Sequence, residues 1–284
     1  MSEVVPILLR FALYLDLMLV FGLGLFGLYG DRRLWKLQPL LRLMACLGVL
    51  LSVASLLSMT QAMSGAEDWQ TLWPHLQMML GQTELGGTWG LRVVALMLVV
   101  LSTRLAPLFG ALALVTLAWA GHGVMHEGAL GLWHVLSDSA HLLAAGGWVG
   151  ALAAFGLALR RRSLPALHRL AHALAGFGRM GAVFVAVLIG TGVANYLFVV
   201  GPNLDGINGG TYAVLLCFKL GLFGLMLGLA ALNRSHFTPL LQRALAAGDI
   251  TVASRALRRS IALESAAVVL ILALVAWLGT LAPG

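Results

Sequence analysis

Apolar residues run on for a bilayer's width in eight places along this chain, at about 4–29, 38–61, 87–103, 106–122, 132–159, 177–199, 211–233 and 259–281, with short polar connections between them. Each stretch is long enough, or nearly so, to cross a hydrocarbon core about 30 Å thick as a helix, the stretch at 87–103 being the shortest. Water is absent from that core, so each crossing segment must satisfy its own backbone, which a helix does. The pattern predicts an all-α polytopic membrane bundle of about eight transmembrane helices, spanning residues 1–284 as a single integral membrane domain. Glycines at small-x-x-x-small spacing, Gly146 with Gly150, Gly147 with Ala151 and Gly224 with Gly228, predict faces on which helix backbones approach closely.

Composition agrees: 60% of the 284 residues are hydrophobic and only 10% charged, against roughly 25% charged in soluble domains. The formal charge of +7 is therefore no nucleic-acid footprint, since the cations sit in loops. Arg32, Arg33 and Lys36 follow the first stretch, Arg104 the third, Arg160, Arg161, Arg162 and Arg169 the fifth, and Arg234, Arg243, Arg255, Arg258 and Arg259 the seventh. Loops 62–86, 123–131 and 200–210 hold no Lys or Arg and carry Glu67, Asp68, Glu84, Glu127 and Asp205. Positive loops stay in the cytoplasm, so both termini are expected outside it, on the periplasmic side in a bacterium. The run from Val4 to Tyr29 reads as a first transmembrane helix, not a cleavable leader.

Few polar groups interrupt the apolar stretches. Asp16 falls near mid-depth of the first and Lys219 at similar depth in the seventh; an ionised group there is costly unless paired, which makes the two candidate partners, as a structural ion pair or as steps on a translocation path. Cys46 and Cys217 also lie in apolar runs. No structural disulfide is expected of either, and buried inert thiols are the plainer reading, while Cys217, two residues from Lys219, is a candidate soft ligand on that path. Arg179 and Glu264 lie a turn or two inside the cytoplasmic boundary, and a short surface helix is expected from Pro239 to Ala247.

The densest chemistry lies between His122 and Trp148. On a helix beginning near Leu132, His134, Asp138 and His141 stand at i, i+4 and i+7 and share one face. His122 and His126, with Met125 between them, end the preceding stretch, and a tight hairpin would bring all of these donors to one end of two neighbouring helices. Imidazoles, a carboxylate and nearby thioethers suit copper as Cu(I) or Cu(II), and zinc is chemically acceptable. Asp138 can be a ligand or the acceptor that fixes an imidazole's tautomer. Interfacial histidines bonded to backbone or water are the plainer alternative, and paired histidines on neighbouring helices also hold b-type haem. In the loop before the third stretch, His75, Met78 and Met79, with Met59 and Met63 just ahead of it, are candidates for receiving the metal, although methionine also fills gaps in helices. Trp69, Trp73 and Trp89 suit an interfacial belt, so this loop is expected along the membrane surface. On the cytoplasmic side, His168 and His172 belong to a basic connector. No H-E-x-x-H helix and no nucleophile motif is present, so no enzyme is predicted.

Several motifs carry a resemblance: G-H with a following His at 121–126, the D-x-x-H of Asp138 and His141 leading into A-A-G-G-W-V-G at 144–150, L-N-R at 232–234, and R-R-S-I-A-L-E at 258–264. Over nearly all of its length the chain resembles the CopD/PcoD family of bacterial inner-membrane copper-resistance proteins. The resemblance implies an eight-helix inner-membrane protein of the copper-tolerance system that moves copper from periplasm to cytoplasm. It also implies a small periplasmic copper carrier of the CopC type as a partner, separate from this chain. A haem or copper redox protein without transport, and a copper sensor or buffer, are the alternatives.

Overall fold

A computed structural model describes residues 4–29, 37–120, 128–160, 163–201, 210–247 and 251–280. Ten α-helices follow in order among them: α1 (Val4–Tyr29), α2 (Gln38–Ser64), α3 (Trp69–Gln82), α4 (Glu84–Leu101), α5 (Ala106–Val115), α6 (Gly128–Leu159), α7 (Leu164–Val199), α8 (Gly210–Leu232), α9 (Thr238–Ala247) and α10 (Thr251–Leu278). Seven are long and apolar enough to cross a membrane, all but α3, α5 and α9. The protein is a polytopic helical membrane bundle.

The fourth predicted crossing is shorter than its apolar pattern suggested. Helix α5 has ten residues, about 15 Å at 1.5 Å per residue, and then tightens into a 3₁₀ turn at Ala118–Ala120. Thr116 marks the change: its hydroxyl donates to Ala113 O (2.6 Å) and accepts from Arg92 Nε (2.7 Å). Ala106, Gly110, Ala113 and Leu114 are buried, and the helix packs against α1, α4 and α6. The third stretch, by contrast, forms a full crossing in α4, capped by the Thr83 side chain, which accepts from Gly86 N.

Helix α1 is the hub, packed by α2, α5, α6 and α10. Its closest neighbour is α6: a Cβ on Gly22 would strike the backbone of Gly146 and Gly150, and one on Gly150 would strike Gly22. The small-residue spacing expected at 146/150 is thus a backbone-to-backbone seam. At Gly147 the added carbon would meet the Phe184 ring, whereas nothing lies within 4 Å of one at Gly224 or Gly228, so that second expected face is not used for close approach among the described residues. One hydrophobic cluster runs from Leu17 and Phe21 through Leu114 and Ala151 to Leu257 and Ile261.

Arg10 Nη1 donates to Gly279 O (2.7 Å). The outset of α1 and the close of α10 therefore share one face of the bundle, the arrangement that an even number of crossings gives. At the opposite face, Arg258 Nη2 donates to Leu159 O (2.5 Å) and covers a carbonyl left open at the end of α6. The basic connector expected after 159 is mostly helical, because α7 starts at Leu164 and runs 36 residues; His168 and His172 are exposed on this extension. The surface helix expected at 239–247 is α9, joined to α8 through a π-helical turn at Asn233–Phe237.

The loop expected along the membrane surface contains α3, which carries Trp69 and Trp73 exposed and Leu76 and Met79 buried. Asp68 caps it by accepting from Thr71 N (2.8 Å) and Thr71 Oγ1 (2.8 Å). These bonds favour the ionised form and hold the carboxyl below its ordinary 3.8. A depressed folded pKa means that the cap stabilises α3 above the ordinary carboxylate range and that the contribution is lost as pH falls through the lowered value. Amide exchange across 69–82 is expected to speed up on acidification to that point. Asp68→Ala should give the same acceleration at neutral pH and abolish the acid dependence.

Candidate metal centre

His134, Asp138 and His141 lie on one face of α6, as their spacing requires, and that face is turned toward α7. The His134 ring stacks on Phe198 at 4.9 Å between centroids. Asn195 Nδ2 donates to Asp138 Oδ1 (2.5 Å), and His141 Nδ1 lies 2.8 Å from Thr191 Oγ1. Thr191, Asn195 and Phe198 repeat the i, i+4, i+7 spacing on the antiparallel neighbour. His134 is 1% exposed, and its Nε2 is 3.9 Å from Asp138 Oδ2. A third helix contributes too: Lys219 of α8 interacts electrostatically with Asp138 and His141.

His141 Nδ1 and Val187 O are both within reach of the Thr191 hydroxyl (2.8 and 2.6 Å); when the hydroxyl gives its proton to Val187 O, it accepts from His141 Nδ1–H. In the neutral imidazole this leaves Nε2 with a lone pair. Metal-binding histidines are commonly held this way, with one ring nitrogen donating to a fixed acceptor and the other presented to the ion. Asp138, oriented by Asn195 and within reach of the Lys219 field, is held comparably.

Among the described residues, no three His, Cys, Asp or Glu side chains converge closely enough to hold a metal ion. His122, His126 and Met125 lie outside the described residues. The partners that α7 supplies to this face were not among the residues singled out from sequence, whereas Lys219 of α8 was, but as a partner for Asp16. Thr191 and Asn195 were legible, as two polar side chains one turn apart in an apolar run.

Other candidates are dispersed. Met79 is buried and its Sδ accepts from Thr60 Oγ1 (3.0 Å), while His75 and Met78 are exposed on α3. Met59 and Met63 line a cavity of about 350 Å³ together with Arg10 and Arg92, a cationic setting that repels a metal cation. Cys217 is exposed on α8, about 200° around the helix from Lys219.

Asp16 and Lys219 are not partners. Asp16 is 4% exposed, faces Gly48 of α2, and neither of its carboxylate oxygens has a hydrogen-bond partner; α8, which carries Lys219, packs on α10. Glu264 pairs with Asn233 Nδ2. These two residues, from the R-R-S-I-A-L-E and L-N-R motifs, line a cavity of about 550 Å³ between α7 and α8, walled by Trp148, Phe155 and Phe177.

Two sequence profiles match the chain, "Copper resistance protein D-like, N-terminal domain" over residues 1–132 and "Copper resistance protein D" over residues 171–278. Copper resistance protein D of Pseudomonas syringae pv. tomato is 47% identical over an alignment covering 100% of this chain and 98% of the relative. The chain belongs to the copper resistance protein D family. A more distant relative, inner membrane protein YebZ of Escherichia coli (strain K12), is 28% identical over 82% of this chain and 84% of its own length. No solved structure matches. Within this family assignment, L-N-R and R-R-S-I-A-L-E are distant in sequence and adjacent in space, at the Asn233–Glu264 contact.

Proposed function

We propose that this copper resistance protein D family member is a multi-pass inner-membrane protein that captures copper at its periplasmic face and passes it toward the cytoplasm. The capturing groups are His134, Asp138 and His141 of α6, joined by His122 and His126 from the segment just before it. A separate periplasmic carrier of the CopC type is the proposed donor. The carrying observation is the contact of His141 Nδ1 with Thr191 Oγ1 (2.8 Å) next to the Asp138 carboxylate that Asn195 orients, an arrangement that presents Nε2 to an ion whenever Nδ1 is the donor. The loop charges support the sidedness: the connections on the side of the two termini hold no Lys or Arg, and the copper face belongs to that side.

Lys219 gives the site a means of release. A cation at Asp138 and His141 sits in the field of a nearby ammonium, which weakens binding and keeps the metal exchangeable, as a transport station requires. From there the cavity between α7 and α8, with Trp148 two turns below His141, leads inward to Asn233 and Glu264.

Reconstitution into proteoliposomes tests this reading. Copper added on the outer face is expected to accumulate inside vesicles, and Thr191→Val is expected to lower outer-site affinity by about 10–100-fold, the usual cost of removing the group that orients a metal-bound histidine. Stoichiometric binding without uptake would instead make the protein a buffer or sensor. A Soret band in the purified protein would make it a haem protein and remove the copper assignment.

A further inference from the structure

The cavity of about 350 Å³ between α1, α2 and α4 has no role in copper capture, and its chemistry is of the opposite sign. Arg10 and Arg92 line it with Tyr14, Ser55, Thr88 and Trp89, and no Asp or Glu is among its lining residues. Arg92 is 6% exposed. Of the five N–H donors of a guanidinium, its Nε bonds Thr116 Oγ1 (2.7 Å) and its Nη2 reaches Thr116 O (3.5 Å), which leaves Nη1 uncommitted. Ser55 Oγ is buried without a hydrogen-bond partner. Arg10 gives one N–H to Gly279 O and stands 6.0 Å from the Tyr14 ring centroid.

A guanidinium enclosed at a membrane boundary is costly unless an opposite charge compensates it. Asp16, the acid of α1, lies deeper against Gly48 and hydrogen-bonds neither arginine. The compensating charge is therefore not supplied by the cavity walls. Guanidinium forks and hydroxyls together match the oxygens of a phosphate, and the remaining wall is apolar, with Leu9, Leu13, Leu56 and Leu117.

We propose that this cavity binds a phosphate-bearing anion, with Arg92 and Arg10 as the charged contacts and Ser55 as a hydrogen-bond donor. The site opens at the face where α1 begins and α10 ends, with Pro6 and Thr280 in its lining. The apolar part of the wall suits the upper part of an acyl chain, which makes the head group of an anionic phospholipid the expected source over free phosphate.

The test uses the full chain purified in a detergent without phosphorus. Phosphorus is expected to remain with the protein in equimolar amount and to be lost in Arg92→Gln. After stripping, micelles containing phosphatidylglycerol should raise the melting temperature, with phosphatidylcholine giving a smaller shift. If inorganic phosphate alone reproduces the full shift, the anion site stands and its ligand is the free ion. Because Arg92→Gln can fail to fold, Ser55→Ala and Arg10→Gln serve as second variants, each expected to halve the shift or more. Absence of both retained phosphorus and any anion-dependent shift in the wild type would overturn the proposal, as would an undiminished shift in all variants that fold.

Discussion

Replacing His134 and His141 together by alanine is expected to abolish copper binding at the outer face. The two rings lie two turns apart on the same side of α6, and both are held by α7, His134 by stacking on Phe198 and His141 by the bond to Thr191. Removing an orienting group alone costs about 10–100-fold in metal affinity, so losing two imidazoles should exceed that and leave no measurable stoichiometric copper. His134→Ala also empties a buried site beside Phe198. The pair His134→Gln and His141→Gln, which keeps most of the volume and a polar end, separates lost packing from lost ligands. Metal analysis after gel filtration reads the result, and unchanged copper content in a folded double variant would move the site elsewhere on the molecule.

The second large effect concerns the fold. Gly22→Ala is expected to prevent stable assembly, although alanine is the better helix former by roughly 0.5–1 kcal/mol. The added carbon has no free direction, since it meets the backbone of α6 at Gly146 and Gly150. A side-chain obstacle could rotate away; here whole helices must separate, at the upper end of or beyond the 1–3 kcal/mol typical of overpacking. Gly27→Ala, on the same helix with nothing within 4 Å of the added carbon, is the internal control and should melt at or slightly above the wild-type temperature. If the two variants melt alike in detergent, the α1–α6 seam is not the tight contact described here.

Much of the architecture was legible because membrane insertion leaves so few options. Runs of apolar residues located seven crossings, and the absence of Lys and Arg from three loops predicted an even count, which the Arg10–Gly279 contact supports independently. At 106–122 the α-helix is shorter than the apolar run because hydropathy registers length of apolar chain, whereas the α-helix there ends at Thr116, whose hydroxyl accepts from Arg92 of another helix. Arg92 itself was passed over as one charge in an apolar run. The i, i+4, i+7 rule placed His134, Asp138 and His141 on one face. Helical periodicity cannot name the facing helix, so Asn195 and Thr191, and the place of Lys219 beside Asp138 and His141, emerged only from tertiary packing. For the same reason Asp16 and Lys219, matched by depth, proved to be on different sides of the bundle.

The place of α1 has a consequence for biosynthesis. Chains are made and inserted from the N-terminal side, so the helix on which α2, α5, α6 and α10 pack reaches the bilayer before α5, α6 and α10 exist to meet it. Until α6 arrives, Gly22 offers a bare strip of backbone to lipid, and until α10 is complete Arg10 lacks the Gly279 carbonyl. The bundle must therefore close around a helix that has already been waiting, and α10, made after the other nine, is the one that fastens it.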